Sequence, residues 1–415
     1  MSLNPLTRRG FLASAGAAWS VQYTAAERTS GSSVSLPELP GTEDPDWSVV
    51  REAFSLPDDL IYLNNGSLGP SPGFVKWRAL GAWDRLERDP IGQGFGPMLE
   101  AANEVRAKAA AFLGCSLDEI AITRNTTEGM NMIAQGARLQ PGDRVLTTNH
   151  EHAGGIRCWE YHAAHHGLII DQVELPVPPD SPDQVVQLFE KKMDARTRVI
   201  SVSHVTSITG LRMPVEALSD LARANNALLV VDGAQAPGGM DVNLHRLRCD
   251  AYATSTHKWM LAPKGTGLLY IRKGAQRAIQ PIALQDGFEA YTGAVGTRDL
   301  PSIAGLGAAI DFLNYYGFDN VSKRNMRLRA YLFKSLENVS SIRIASPADG
   351  EMAAPMVTFE LPRTVSAAKL AARLRADHGV EVKVLPGNVL NGIRVSTHVY
   401  NSEDDIDVLV NGLKK

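Results

Sequence analysis

The sequence predicts an α/β protein: a doubly wound, mostly parallel seven-stranded sheet with helices on both faces, followed by a smaller α+β domain. Short apolar segments alternate with helical segments over residues 95–275, which is the pattern of repeated strand–helix units. Several apolar segments are rich in β-branched residues and show no alternation of polar and apolar positions, as expected of strands buried on both faces. The last hundred residues change to a different order of elements, which indicates a second domain.

Seven segments have the composition of buried strands, and five helical segments lie between them. The predicted strands are residues 119–123, 144–149, 168–174, 198–204, 228–232, 251–254 and 267–271. The predicted helices are residues 99–113, 128–138, 154–165, 182–193 and 215–225, with Ser181 as the N-cap of the fourth. Ligands of such a sheet bind at the carboxyl ends of its strands, so the loops there are the place to look for chemistry.

The carboxyl-terminal part begins with a long helical segment. Residues 302–339 are predicted to be helical with a break near Gly317, followed by a strand, a helix at 366–377, strands at 379–385 and 392–398, and a closing helix. Ser402 and Asp405 have the spacing of a capping box at the start of that last helix. Gly305 and Gly307 follow no strand, so they indicate close helix packing rather than a dinucleotide-binding turn.

Composition excludes several classes of function. The 42 Lys+Arg residues against 45 Asp+Glu give a net charge of −3, which provides no basic surface for nucleic acid or an anionic membrane. Three cysteines are too few for a disulfide scaffold, and the histidine clusters lack the carboxylate or thiolate that would complete a metal site. We therefore expect no bound metal, no nucleic acid partner and a small-molecule substrate.

The most informative residues flank two of the predicted strands. Asp232 ends one strand, and Lys258 follows the next strand 26 positions later. An acid and a lysine at neighbouring strand ends are what pyridoxal 5′-phosphate (PLP) requires, because the lysine amine bonds to the cofactor aldehyde and the acid keeps the pyridine nitrogen protonated. Gln235 could donate to the 3-hydroxyl oxygen of the ring, and Ser255 and His257 would contact the phosphate.

These motifs resemble those of the class V aminotransferases, a family of fold-type I PLP-dependent enzymes. Residues 232–235 (DGAQ) and 255–259 (STHKW) carry the resemblance, which extends from residues 61–66 to the final helix. It implies a fold-type I PLP-dependent transferase fold. It also implies that Thr126 and Thr127 bind the phosphate and that His152 stacks on the pyridine, beside the catalytic Lys258 and Asp232.

The resemblance also implies a substrate site and a dimer. Arg394 matches the family arginine that binds the substrate α-carboxylate, and Asn65 is expected to contact the substrate as well. Residues 293–297 (GAVGT) resemble a loop whose Gly296 and Thr297 reach the phosphate of the neighbouring subunit. A homodimer with a shared active site follows from this.

Two departures from the family pattern narrow the chemistry. Cysteine desulfurases carry a nucleophilic cysteine shortly before the arginine, but residues 384–391 contain none. Ser207 stands where desulfurases have an asparagine beside the 3-oxygen of the cofactor. This version is similar to the isopenicillin N epimerase-like branch, which includes carbon–sulfur lyases and exported enzymes that modify peptide siderophores.

The amino terminus resembles a twin-arginine export signal. Arg8 and Arg9 precede a mildly apolar stretch at residues 11–21 that ends in small residues, and residues 27–48 have the composition of a linker. We therefore predict a signal peptide at 1–26 and export of the folded holoenzyme to the periplasm. The predicted remainder is an amino-terminal segment at 49–75 that packs on the small domain, a large PLP-binding domain at 76–305 and a small domain at 306–415.

The functional prediction is an exported PLP-dependent enzyme acting at the α-carbon of an amino acid or of a residue in a peptide. Transamination, epimerisation and elimination all remain open, and the expected role is tailoring of a secreted metabolite or peptide such as a siderophore. The alternatives are a carbon–sulfur lyase or desulfurase-type reaction and a PLP-binding protein without catalysis. The sequence does not name the substrate.

Overall fold

A computed structural model describes residues 45–280, 296–387 and 389–414 of the chain. The predicted signal peptide, residues 27–44 of the predicted linker and residues 281–295, with Gly293 to Val295 of the Gly-Thr loop, lie outside the described residues. Among the helices that are described, none has the length and apolar character needed to span a bilayer.

The described chain alternates helices and strands, and its sheets have seven, four and two strands. The strands are β1 (Ile61–Tyr62), β2 (Ile120–Thr123), β3 (Arg144–Thr148), β4 (Ile169–Val173), β5 (Thr197–Ser203), β6 (Leu228–Asp232), β7 (Ala251–Ser255), β8 (Gly267–Ile271), β9 (Arg343–Ile344), β10 (Val357–Glu360), β11 (Val380–Glu381), β12 (Lys383–Val384) and β13 (Gly392–Val395). The helices are α1 (Trp47–Glu52), α2 (Gly73–Arg88), α3 (Pro90–Gly94), α4 (Pro97–Leu113), α5 (Thr126–Gly136), α6 (Ala153–His166), α7 (Pro182–Lys192), α8 (Val215–Ala224), α9 (Leu244–Leu247), α10 (Leu300–Tyr315), α11 (Phe318–Glu337), α12 (Ala367–His378) and α13 (Glu403–Leu413).

The seven-stranded sheet confirms the predicted fold class. Its order is β2-β8-β7-β6-β5-β3-β4, and β8 is antiparallel to both of its neighbours whereas the other adjacent pairs are parallel. Each predicted strand of this sheet ends within one residue of its observed bounds. Helix α5 begins two residues earlier than predicted because the Asn125 side chain caps it by accepting a hydrogen bond from the Glu128 backbone N–H.

Helices cover both faces of this sheet, so successive residues of a strand point into two different hydrophobic cores. In β6, Val230 packs in the cluster that contains Trp159 of α6, while Leu229 and Val231 pack in the cluster that contains residues of α4, α7, α8 and α10. All of these strand residues are buried, which explains why the strands show no polar alternation.

The two packing predictions for the carboxyl-terminal part are confirmed. Ser402 and Asp405 form the capping box of α13, with both reciprocal hydrogen bonds present. Gly305 and Gly307 lie inside α10, where a Cβ atom would come within 2.4 Å of Pro263 and 2.6 Å of Val105 respectively. The long helical segment is divided into α10 and α11 at Gly317, whose φ is +74°.

The predicted strand at 379–385 is two strands in different sheets, which corrects that prediction. Strand β11 pairs in parallel with β1, whereas β12 pairs antiparallel with β13. The chain changes partner because Gly379 (φ +68°) ends α12 directly against the backbone carbonyl of Asp59, which places the next residues beside the amino-terminal segment.

The amino-terminal segment lies beside the carboxyl ends of the parallel strands in the large sheet. After β1, Asn65 N–H donates to the Ser396 carbonyl and Gly69 N–H donates to the His257 carbonyl at 2.9 Å. Helix α1 includes the last two residues of the predicted linker. The domain boundaries themselves stay predictions.

Candidate active site

The carboxyl ends of β5, β6 and β7 bring the predicted catalytic residues together. Asp232 is the last residue of β6 and lies in register with Ser203 of β5 and Ala253 of β7. Lys258 follows the end of β7 by three residues. The Asp232 carboxylate accepts a hydrogen bond from Ala234 N–H at 3.0 Å, and Gly155 in the first turn of α6 packs so close that a Cβ atom there would lie 2.6 Å from it.

Lys258 and Asp232 form an electrostatically linked buried pair. Burial lowers the pKa of Lys258 to about 8; the negative charge of Asp232 opposes this shift and the Arg394 cation adds to it. Burial also raises the pKa of Asp232, against the Ala234 hydrogen bond and the cations nearby. The lysine therefore loses its proton near pH 8, at a lower pH than an exposed lysine, as suits a nucleophile or general base.

Hydroxyl groups at the amino terminus of α5 form a candidate cradle for a phosphate. Thr126 N–H donates to Ser255 Oγ at 2.9 Å, and the two hydroxyls of these residues are 2.8 Å apart. The Nδ1 atom of His257 is buried without a hydrogen-bond partner among the described residues. Thr127 Oγ1 lies 2.5 Å from where a Cβ atom on Gly154 would be, so α5 and α6 begin side by side. Helix N-termini favour anions, and these donors fit a phosphate.

His152 caps the helix that begins beside this cradle. Its Nδ1 atom accepts a hydrogen bond from Gly154 N–H at 3.0 Å. The side chain is exposed in the cleft, yet the protein atoms around it partly desolvate it and, with the Lys258 cation, lower its pKa. A neutral imidazole at this position is suited to stack on a flat heterocycle.

Arg394 is a buried cation on β13 with neutral partners. Its guanidinium donates to the Ser207 carbonyl and to Ser67 Oγ, each at 3.1 Å, while its buried Nε atom has no partner among the described residues. Burial lowers its pKa to about 10. Within the described part of the chain, no carboxylate forms an ion pair with it. Buried arginines are normally paired, so this one is suited to receive an anionic ligand.

Gln235 and Asn65 anchor the amino-terminal turn over the site. Gln235 Nε2 donates to the Gly66 carbonyl at 2.8 Å, and its Oε1 accepts from Trp259 Nε1 at 2.9 Å. Asn65 Oδ1 accepts from the Tyr400 hydroxyl, and its buried Nδ2 has no partner in the described residues. A contact from Gln235 to a cofactor oxygen stays a prediction that would use its second Nε2 hydrogen.

Two predicted residues lie apart from this constellation. Gly296 and Thr297 line a cavity of about 730 Å³ together with apolar residues such as Ile91, Phe95 and Leu300, and none of the other predicted site residues lines it. Ser207 meets the site through its backbone, since its carbonyl accepts from Arg394. The predicted contacts of these three residues with the cofactor stay predictions.

Sequence reasoning missed Glu151 and Ser67. Glu151 accepts hydrogen bonds from the Thr148 hydroxyl at 2.6 Å and the Ser203 hydroxyl at 2.7 Å, and burial raises its pKa to about 7. Ser67 holds Arg394 across 327 positions of sequence. A carboxylate directly before His152, between two strand ends, was the signal that could have revealed Glu151; the sequence offered none for Ser67.

The three cysteines, all within the described residues, are not activated. Cys158 and Cys249 are buried and Cys115 is partly buried. Burial raises the pKa of Cys115 and Cys158 to about 12 and raises that of Cys249 further. A thiol with such a pKa is not a nucleophile at neutral pH.

Comparison with known proteins agrees with this geometry. The profile of the family described as Aminotransferase class-V matches residues 96–409. Isopenicillin N epimerase of Amycolatopsis lactamdurans is 34% identical over 400 residues, covering 89% of this chain and 98% of that protein. Cysteine desulfurase of Serratia proteamaculans is 30% identical over 403 residues, covering 88% and 95%. A structure of C-DES with glycine covalently linked to the PLP cofactor superposes with a TM-score of 0.80 at 21% identity, covering 88% of this chain and 99% of that one, which supports the fold.

The fold and the buried lysine–aspartate pair define a PLP-dependent enzyme, and the residues present fit that cofactor. The chain belongs to the class V aminotransferase family. When bound, PLP supplies an electron sink for the negative charge that develops at the α-carbon of an amino acid. Lys258 would hold the cofactor covalently, Asp232 would pair with its ring nitrogen, and Thr126, Ser255 and His257 would hold its phosphate.

Proposed function

We propose that this protein acts at the α-carbon of an amino acid or of an amino-acid residue in a peptide, by transamination, epimerisation or elimination. The observation that carries the proposal is the guanidinium of Arg394, which is buried and has no carboxylate partner within the described residues. A substrate α-carboxylate would supply the missing anion in a bidentate arrangement. Because Arg394 is close enough to Lys258 to lower its pKa, a carboxylate held there would keep the α-carbon near the lysine amine.

In the proposed reaction, each residue moves or holds a charge at a defined atom. The Lys258 amine, neutral above about pH 8, takes the α proton and can return it. The Asp232 carboxylate would pair with the protonated ring nitrogen of the cofactor, and the His152 imidazole would stack on the flat face of the ring. Because Arg394 is shielded from water, its electrostatic attraction for the substrate carboxylate is stronger than it would be in solvent.

The relatives of this chain support epimerisation, whereas the described residues provide no reactive thiol for desulfuration. Two isopenicillin N epimerases are 34% and 30% identical to this chain over nearly its whole length. Desulfuration through a persulfide needs a reactive thiol, but the three cysteines are at least partly buried and have raised pKa values, and residues 384–391 contain none. Carbon–sulfur cleavage without a persulfide carrier is included in the elimination outcome.

The decisive experiment is product analysis by mass spectrometry in D₂O with a panel of amino acids and peptides. Deuterium at the α-carbon shows proton abstraction by Lys258, and the product distinguishes a keto acid, an inverted centre and an eliminated fragment. Lys258→Ala is the control in which exchange should stop. If the holoprotein exchanges no α proton in any substrate of the panel, catalysis at the α-carbon is refuted and a PLP-binding role without turnover gains support.

We also propose that the enzyme is exported by the twin-arginine route and tailors a secreted metabolite or peptide, such as a siderophore. The support is the Arg8-Arg9 signal in the sequence. Fractionation of cells that express the full chain should recover processed protein from the periplasm, and the double variant Arg8→Lys, Arg9→Lys should leave the precursor in the cytoplasm. Equal distribution of the two proteins would contradict export.

A homodimer with a shared active site completes the proposal. The support is the position of Gly296 and Thr297 on a cavity with exposed apolar side chains, namely Ile91, Phe95 and Leu99, which are 72%, 75% and 45% exposed. Surface of this kind typically mediates association. Sedimentation should give a dimer, and Phe95→Glu should yield monomers with weakened cofactor binding; an active monomer would refute the shared site.

A further inference from the structure

Glu151 forms a bridge between two strand ends beside the catalytic aspartate. One carboxyl oxygen accepts from the Thr148 hydroxyl at the end of β3, and the other accepts from the Ser203 hydroxyl at the end of β5. Thr148 Oγ1 in turn accepts from His150 N–H at 3.1 Å, so the carboxyl closes the turn that leads into His152. Both oxygens of Glu151 are thus engaged before any ligand binds.

Ser203 lies on the strand that pairs with the one ending in Asp232. Ser203 lies in register with Asp232 on the neighbouring strand, and His204 N–H donates to the Asp232 carbonyl at 2.8 Å. Burial raises the pKa of Glu151 to about 7 against the hydrogen bonds from Thr148 and Ser203, and the charge of Asp232 adds to this shift. Glu151 therefore keeps its proton to a higher pH than an exposed glutamate does.

We propose that Glu151 is a positioning residue for the cofactor: its hydrogen bonds to Thr148 and Ser203 fix the turn carrying His152, and its carboxyl, bound to the strand beside Asp232, adds to the negative charge near the cofactor ring when it ionises. The inference rests on the proposed pairing of Asp232 with the ring nitrogen. It assigns a role to a carboxyl that the reaction itself does not use.

The groups around Glu151 determine which carboxyl keeps the proton. Lys258 and His152 favour the ionised form of Asp232. The histidines on either strand end are held neutral by burial, which lowers the pKa of His150 to about 4 and that of His204 to about 3, and the Cys158 thiol on α6 is neutral as well. The proton therefore stays on Glu151 below about pH 7, and Glu151 ionises above it.

A bound cationic ring at Asp232 should change this balance. An added positive charge near the pair favours ionisation of Glu151, so cofactor binding and proton release from Glu151 are linked. In the wild type, the affinity for PLP should gain from rising pH through this linkage, whereas Glu151→Gln keeps an isosteric side chain that cannot ionise. The ratio of the two dissociation constants isolates Glu151, because the other titrating groups are common to both proteins.

The first test observes the carboxyl directly by carbon-13 NMR of protein labelled at the glutamate side chains, without cofactor. One resonance should titrate near pH 7, vanish in Glu151→Gln, and move to lower pH in Asp232→Asn because the neighbouring charge is gone. Absence of a glutamate that titrates near neutrality refutes the inference. If Glu151→Gln does not fold, Thr148→Val provides the same readout, since loss of its hydroxyl should move the resonance to higher pH.

The second test measures PLP affinity by the visible absorbance of the holoprotein. The ratio of dissociation constants, Glu151→Gln over wild type, should be about 1 at pH 5.5 and rise about threefold or more by pH 8.5. Glu174→Gln is the matched control, since this exposed carboxylate follows β4 and accepts a hydrogen bond from Asn149 at the start of the same turn, and its ratio should stay near 1. If the ratio for Glu151→Gln does not change with pH while Asp232→Asn weakens PLP binding, this inference alone is overturned. If Asp232→Asn binds PLP normally, both the assigned role of Asp232 and the inference are overturned.

Discussion

Replacing Arg394 by methionine should separate substrate binding from stability. Arg394 is 3% exposed, and burial lowers its pKa by more than two units, to about 10. A shift of that size corresponds to about 3 kcal/mol of unfavourable free energy in the charged side chain. Methionine removes this penalty but also removes the hydrogen bonds to Ser207 and Ser67, worth about 1 kcal/mol each. The free energy of unfolding should therefore stay within about 1 kcal/mol of the wild type.

Substrate recognition should suffer far more than stability. Loss of a desolvated guanidinium–carboxylate pair costs about 2–5 kcal/mol, so kcat/KM for amino acids should fall about 30-fold or more. Most of the loss should appear in KM if Arg394 binds the ground state and the transition state equally. The visible spectrum of the bound cofactor should be unchanged, because Arg394 does not hold the cofactor.

Arg324→Met is the matched control. Arg324 is also buried, at 8% exposed, but forms an ion pair with Glu403 at 2.9 Å and donates to the Asn401 carbonyl. Removing it should cost about 2 kcal/mol or more of stability and leave KM unchanged. Chemical denaturation and steady-state kinetics of both variants give the comparison. If Arg394→Met loses as much stability as Arg324→Met while kcat/KM changes less than threefold, Arg394 is a structural residue and the proposed carboxylate site is wrong.

Three further predictions concern the cofactor and the turn above it. The rate at which the apoprotein attaches PLP should rise with pH and level off above about pH 8, because burial lowers the pKa of Lys258 to about 8; a rate still rising steeply at pH 10 would contradict this. Ser255→Ala should weaken PLP binding about tenfold by removing a hydroxyl donor from the phosphate cradle, as measured by absorbance titration, and unchanged binding would place the phosphate elsewhere. Gly66→Ala should raise KM about tenfold and leave the cofactor spectrum unchanged, because a Cβ atom there would lie 3.1 Å from Arg394 Nη2 and 3.0 Å from Gln235 Oε1. An unchanged KM would show that the turn can shift without moving the arginine.

The parts of the molecule that could be predicted from sequence are those encoded over short distances. The strands of the large sheet were predicted because their residues are buried on both faces and alternate with helices. The lysine–aspartate pair was predicted because each residue follows a strand, so register brings them together. Helix α2 was missed because its buried stripe is weak: Val75, Ala82 and Leu86 recur at helical spacing, but Leu80 and Trp83 are apolar and lie exposed outside that stripe.

Contacts across long sequence separations could not be predicted. Ser67 meets Arg394 over 327 positions, and Ser203 meets Glu151 over 52. Both contacts depend on how distant segments of the chain are placed in the fold, and no local sequence pattern predicts that placement. The split of residues 379–385 has the same cause, since the chain there exchanges one partner strand for another.

The charges in the cleft explain which ligands it can accept. Lys258 and Arg394 contribute two cations, whereas Asp232 and the protonated Glu151 together carry about one negative charge near neutral pH. The excess is positive and lies on Arg394, which has only neutral partners among the described residues. A substrate carboxylate would restore neutrality at that end, while the helix terminus at Thr126 would hold the phosphate of the cofactor with separate donors. Under the proposed function, the cleft should therefore favour substrates that carry a carboxylate as well as an amine, because an amine alone would leave a buried positive charge uncompensated.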